Sequence, residues 1–166
     1  MDAPDTLFND LLDRLVLIDL SVTGITQSLP VFYENPEGPP YPKTMHRIAG
    51  WTPPERAGLP MYFLNVRVEK LLIGGPIMTG YARENETKTN VVLLRILAKY
   101  LEVPLLNHPT TGAPFDFKVA QQGPPPWDGP NGVQRLSFDP ERPNVQYFGA
   151  IMTHTFVIRI QQGRKA

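Results

Sequence analysis

The stretch from Tyr147 to Ile160 alternates so regularly that it reads as one long β-strand. Phe148, Ala150, Met152, Phe156, Ile158 and Ile160 fall on one face, with His154 the only polar member. The other face mixes Ile151 and Val157 with Tyr147, Gly149, Thr153, Thr155 and Arg159. A period of two, rich in β-branched and aromatic residues, marks a strand with one face on a core. At roughly 3.4 Å per residue it runs about 45 Å, far beyond the usual strand of about 5–6 residues. A strand that long either crosses a whole sheet or reaches out to a neighbouring subunit. That suits an architectural protein better than a catalyst.

The 166 residues fit a single domain, residues 1–166, large enough to build its own core. With no cysteine, disulfides and thiolate metal sites are ruled out. Sixteen basic and sixteen acidic residues cancel, which argues against a dominant attraction to nucleic acid or to an anionic membrane. The apolar run Leu15 to Ile18 is far too short to span a bilayer, and the acidic start (Asp2, Asp5, Asp10, Asp13) is unlike a signal peptide. The expectation is a soluble protein made in a cytoplasm. Asn85-Glu86-Thr87 matches a glycosylation acceptor, which without a secretory signal is read as chance.

Nineteen prolines, more than twice the ordinary share of about 5%, gather in clusters between periodic segments. Pro36, Pro39, Pro40 and Pro42 form one, Pro53, Pro54 and Pro60 a second, and Pro124, Pro125, Pro126 and Pro130 a third. Such loops are stiff and extended. Stiffness lowers the entropy lost on docking, which suits a binding surface, and it equally stabilises a loop against heat. Tyr33, Tyr41, Trp51 and Trp127 lie in or beside these loops, where rigid aromatics serve as interface anchors or fold back onto their own core.

Elsewhere, Pro4-Asp5-Thr6 reads as a helix start, and Leu7, Phe8, Leu11, Leu12 and Leu15 share a helical face. Pro30 to Tyr33 suggests a short strand, and Thr44 to Trp51 is either strand or loop. Met61 to Ile73 reads as a strand, with Tyr62, Leu64, Val66, Val68 and Leu72 on one face and Asn65, Arg67 and Glu69 on the other. Gly74-Gly75-Pro76 reads as the turn that ends it. Thr87 to Glu102 is a second helix, Phe115 to Val119 a third strand, and Val133 to Phe138 a weaker fourth. This order predicts an α+β fold: a mainly antiparallel sheet, two helices packed on one face, and long proline-rich loops. Asn65, Arg67 and Glu69 would then face water, a lumen or another subunit.

Residues that carry chemistry are sparse. His46, His108 and His154 stand far apart, without the spacing of a zinc site, and a lone histidine on an apolar strand is more often a satisfied core residue. No nucleophile elbow and no phosphate loop occurs, since Pro76 removes a donor that such a loop needs. The pairs Glu84/Glu86 and Asp139/Glu141 sit in polar, turn-like surroundings. The expectation is a protein that is not an enzyme, with no cofactor and no metal.

Three segments carry a resemblance. They are Leu29-Pro30-Val31-Phe32-Tyr33-Glu34-Asn35-Pro36; Leu59-Pro60 leading into Met61–Ile73, Gly74-Gly75 and the helix to Leu101; and the closing run Tyr147 to Ile158. Together they resemble the tail-terminator (tail-completion) proteins of long-tailed bacteriophages over most of the chain. The proline-rich loop from Gln121 to Pro130 is longer than that family's pattern. The resemblance implies a virion protein forming a homo-oligomeric, hexameric ring on the head-proximal end of the tail tube. Such a ring ends tube polymerisation and joins the tail to the head–tail connector, while genome DNA passes through the lumen without specific binding. A head-completion (neck) protein, a tail-tube subunit and, remotely, a small enzyme are the alternatives.

Overall fold

The computed structural model describes residues 4–32, 39–52, 55–58, 61–77, 82–102, 118–121, 127–128 and 132–161. In chain order they form α1 (Pro4–Leu20), β1 (Gln27–Leu29), β2 (Lys43–Trp51), β3 (Glu55–Gly58), β4 (Met61–Pro76), α2 (Ala82–Glu102), β5 (Lys118–Gln121), β6 (Trp127–Asp128), β7 (Gln134–Leu136) and β8 (Tyr147–Gln161). The sheet runs β1-β2-β4-β8-β5 and is antiparallel except where β1 pairs with β2. On one flank, β3 continues the line of β2 along β4; on the other, β5, β6 and β7 follow one another along β8. The α+β architecture expected from the sequence is the one observed.

Two long strands make the rib of the molecule. β4 and β8 pair from Met61↔Gln161 to Pro76↔Tyr147, so the long terminal strand crosses the whole sheet. Its period-two pattern works as expected: Phe148, Ala150, Met152, His154 and Phe156 are buried, while Ile151 is exposed. Leu64, Val66, Val68 and Leu72 of β4 face the helices beside them. Leu11, Leu12, Leu15 and Ile18 of α1 and Val92, Leu93, Ile96 and Tyr100 of α2 close this core. A smaller cluster of Met45, Leu71, Ile73 and Tyr147 lies on the other side at one end, flanked by Leu29, Phe32, Tyr41, Leu136, Phe138 and Val145.

The structure corrects several boundaries. α1 begins at Pro4, whose missing N–H and fixed φ suit the first turn, and extends to Leu20. Its end is closed by Ser21, whose N–H and hydroxyl both donate to the Ile18 carbonyl. The short early strand is Gln27–Leu29, before Pro30, not Pro30 to Tyr33; Thr44–Trp51 is strand. α2 starts at Ala82 and β7 is confined to Gln134–Leu136; of the expected third strand, Lys118 and Val119 lie in β5 (Lys118–Gln121), and Phe115 to Phe117 lie outside the described residues.

The largest correction concerns Gly74-Gly75-Pro76, which is not a turn. β4 runs on to Pro76 through a bulge, its register shifting between Ile73 and Gly75. Gly75 takes φ +131°, a value side-chain-bearing residues rarely adopt. The bulge brings the Leu72 carbonyl over Gly149, where a Cβ would lie 2.1 Å from that oxygen. Gly149 is therefore what lets the two long strands stay paired past the bulge.

Candidate functional site

The face of the β4–β8 rib away from the helices is exposed at Arg67 and Ile151, half-buried at Asn65, Glu69, Thr153 and Thr155, and covered by the second cluster at Leu71, Ile73 and Tyr147. Cross-strand rows there read Arg47, Glu69, Thr153 and Gly50, Arg67, Thr155. Arg47 donates to both Glu69 oxygens (3.1 and 3.3 Å) and lies over the Phe32 ring at 5.4 Å. Arg67 is exposed and has no ion-pair or hydrogen-bond partner among the described residues. Its guanidinium lies over Gly50: a Cβ there would stand 3.4 Å from Nη2. Gly50, Trp51, Thr52, Asn65, Arg67 and Thr155 bound a hollow of about 390 Å³. A free guanidinium in a hollow with an amide and hydroxyls is suited to receiving a planar oxyanion in a bidentate contact.

The structure thus brings Asn65, Arg67 and Glu69 together on the open face. The aromatics predicted as anchors divide. Trp51 is 56% exposed, but it pairs with Val66, a register that belongs to the helix side of the sheet. Tyr41 is half-buried and packs on Tyr147 with ring centroids 6.1 Å apart, as part of its own subunit's core. Trp127 lies in β6, its backbone paired with His154 of β8, and its side chain lies outside the described residues. Tyr33 also lies outside them, as does His108.

Beneath this face, on the helix side, lies a cluster that the sequence reading missed. Asp19 from α1, Lys70 from β4, His46 and Thr44 from β2, Tyr100 from α2 and His154 from β8 are all buried. The Lys70 ammonium donates to both Asp19 oxygens (2.5 and 2.6 Å) and to the Tyr100 hydroxyl (2.8 Å). Tyr100 in turn donates to Asp19 Oδ1 at 3.0 Å, and Thr44 to Oδ2 at 2.7 Å. Because the Thr44 proton is committed to Asp19, Ser28 donates to Thr44 at 2.7 Å. His46 Nδ1 donates to the Leu29 carbonyl, and Nε2 stands 3.2 Å from Asp19 Oδ2, off the line a hydrogen bond needs. The His154 ring stacks on Tyr100 with centroids 4.7 Å apart. Two histidines distant in sequence therefore meet the same cluster.

The charge states follow from this geometry. Burial alone raises the Asp19 carboxyl, but the Lys70 ammonium reverses that and holds it far below the carboxylate range. Burial pushes Lys70 below its ordinary value, with Asp19 opposing. Burial, then the neighbouring ammonium, holds His46 below its ordinary value and neutral, with Asp19 and the Leu29 carbonyl pulling the other way. Burial raises the Tyr100 phenol well above its own. The result is one Asp⁻–Lys⁺ pair, satisfied by hydroxyls and sealed from water. Such a pair stabilises little in net terms, but it penalises any arrangement that separates its partners.

A signal for this cluster did exist. Lys70 sits between Val68 and Leu72 on the apolar face of β4, and Asp19 continues the Leu11, Leu15 spacing on the core face of α1. Asp19 also stands near a helix C-terminus, where a negative charge is disfavoured. Two opposite charges misplaced on apolar faces are a pair waiting to be matched. No family model matches this sequence, and no curated protein does.

Proposed function

We propose that this chain is a structural subunit of the tail-terminator kind. In this reading it forms a ring on the head-proximal end of a phage tail tube, ends tube growth and joins the tail to the head–tail connector. The observation that carries the reading is the open face of the β4–β8 rib. A small α+β subunit sets two long paired strands with one side covered by helices and the other polar from Asn65 to Glu69, around an Arg67 that has no ion-pair partner among the described residues. Surfaces of that kind suit assembly, in which each subunit presents one patch to a different patch on its neighbour.

Two further features support an architectural role. The side chains best equipped for chemistry, Asp19, Lys70, Tyr100 and His46, are sealed in the core, where their hydrogen bonds tie α1, β2, β4 and α2 to one another. The chain's zero net charge also fits a ring through which DNA slides without sticking. Native mass spectrometry across concentration, with negative-stain images of the same sample, tests the proposal. Closed rings of about six subunits that never lengthen support it. Long tubes reassign the chain to the tube itself.

A further inference from the structure

Two surfaces on opposite layers of the molecule match each other. On the open sheet face, Arg47 is neutralised by Glu69, while Arg67 has no ion-pair partner among the described residues; the exposed Ile151 lies two rows further along the same face, past Thr155 and Thr153 of β8. On the helix layer, the outward side of α1 carries Asn9, Asp13, Val16, Leu17 and Leu20. Leu20 is 47% exposed, and Val16 and Leu17 are half-buried. Asp10 is paired with Arg14, whereas Asp13 is exposed with no ion-pair partner among the described residues. That side of α1 therefore carries one uncompensated negative charge beside apolar side chains. On α2, by contrast, the exposed Glu86 stands one turn from the exposed Arg83, and Glu84 is paired with Lys88, so its surface offers no such excess.

We propose that the hollow at Arg67 receives the carboxylate of Asp13 from a second copy of this chain, so that α1 of one subunit lies on the open sheet face of the next. Charge complementarity selects the occupant: the Arg67 guanidinium on one layer and the Asp13 carboxylate on the other, neither with an ion-pair partner among the described residues. Arg67, splayed over Gly50 and flanked by Asn65 and Thr155, presents its fork to the incoming carboxylate, and Leu20 and Leu17 cover Ile151. The two patches differ and lie on opposite layers, so the contact is head-to-tail and propagates around a ring. A phosphate backbone is the poorer occupant, because one uncompensated cation gives little hold on a polyanion.

This contact rests on the ring reading above, and a charge-swap cycle separates the two. Arg67→Glu, Asp13→Arg and the double variant Arg67→Glu/Asp13→Arg are compared with the wild type by native mass spectrometry and sedimentation. Circular dichroism melts verify that each variant folds. Each single reversal is expected to raise the concentration at which rings half-form by about tenfold or more, and the double swap to restore it to within a few-fold of wild type. If wild-type rings persist in both single variants, or if the double variant assembles no better than the worse single, the contact is overturned and the ring reading stands. If the wild type stays monomeric at every concentration, alone and with tail tubes, the ring reading fails and this contact with it.

Discussion

Replacing Lys70 with methionine keeps most of the side chain's length and deletes its charge, which strands Asp19 in the core. The carboxylate retains the Thr44 and Tyr100 hydroxyls but loses both ammonium contacts. An unpaired buried carboxylate escapes by binding a proton. Its ordinary value is 3.8, so holding that proton at pH 7 costs about 4 kcal/mol, at about 1.4 kcal/mol per pH unit. This agrees with the roughly 3–5 kcal/mol lost when one partner of a buried pair is removed. The sign is fixed by proton counting. Relative to its own unfolded state, the folded variant binds one more proton than the wild type does on folding, whether Asp19 or the adjacent His46 holds it. The stability deficit therefore widens as pH rises, by about 1.4 kcal/mol per unit, and shrinks by about 2.7 kcal/mol between pH 7 and pH 5. Urea unfolding followed by circular dichroism at both pH values measures it. A deficit equal at the two pH values would mean that Asp19 stays charged without Lys70, and would refute the sealed cluster.

Other consequences can be tested on the same material. The His46 imidazole is held neutral in the folded protein and has an ordinary value of 6.5, so the unfolded chain binds the extra proton below that pH. Wild-type stability should fall as pH drops below about 6.5, by up to about 1.4 kcal/mol per unit, and His46→Gln should flatten this slope in urea titrations between pH 6.5 and 5. Gly149→Ala places a methyl group against the Leu72 carbonyl and should cost about 3 kcal/mol in chemical denaturation, at or above the upper end of ordinary overpacking. Full retention of stability in that variant would show that the bulge at Gly74 can relax.

Periodicity exposed the rib and the helices because each buries one face against the same core, and burial writes a period of two or 3.6 into the chain. Leu64, Val66 and Val68 opposite Asn65, Arg67 and Glu69 gave both the inward side of β4 and the residues of its open side. The same rule hid the cluster. Lys70 and Asp19 occupy apolar positions, and each makes sense only beside the other, 51 residues apart in the chain. The bulge was hidden for a related reason. Gly74-Gly75-Pro76 has the composition of a turn, and only the partner strand, with Gly149 opposite, lets the chain continue through it. The side of the sheet that Trp51 takes was not legible, because it comes at the end of β2, past a register shift between Ile48 and Gly50 that pairs it with Val66.

The central claim is that this chain stops a tail tube by capping its end. Adding purified protein to a polymerising phage tail-tube subunit and imaging the products tests it. A terminator gives shorter tubes, each with one ring-shaped cap at a single end, and no growth from capped ends when more tube subunit is supplied. Tubes of unchanged length with bare ends, or the chain built along the tube wall, would contradict it.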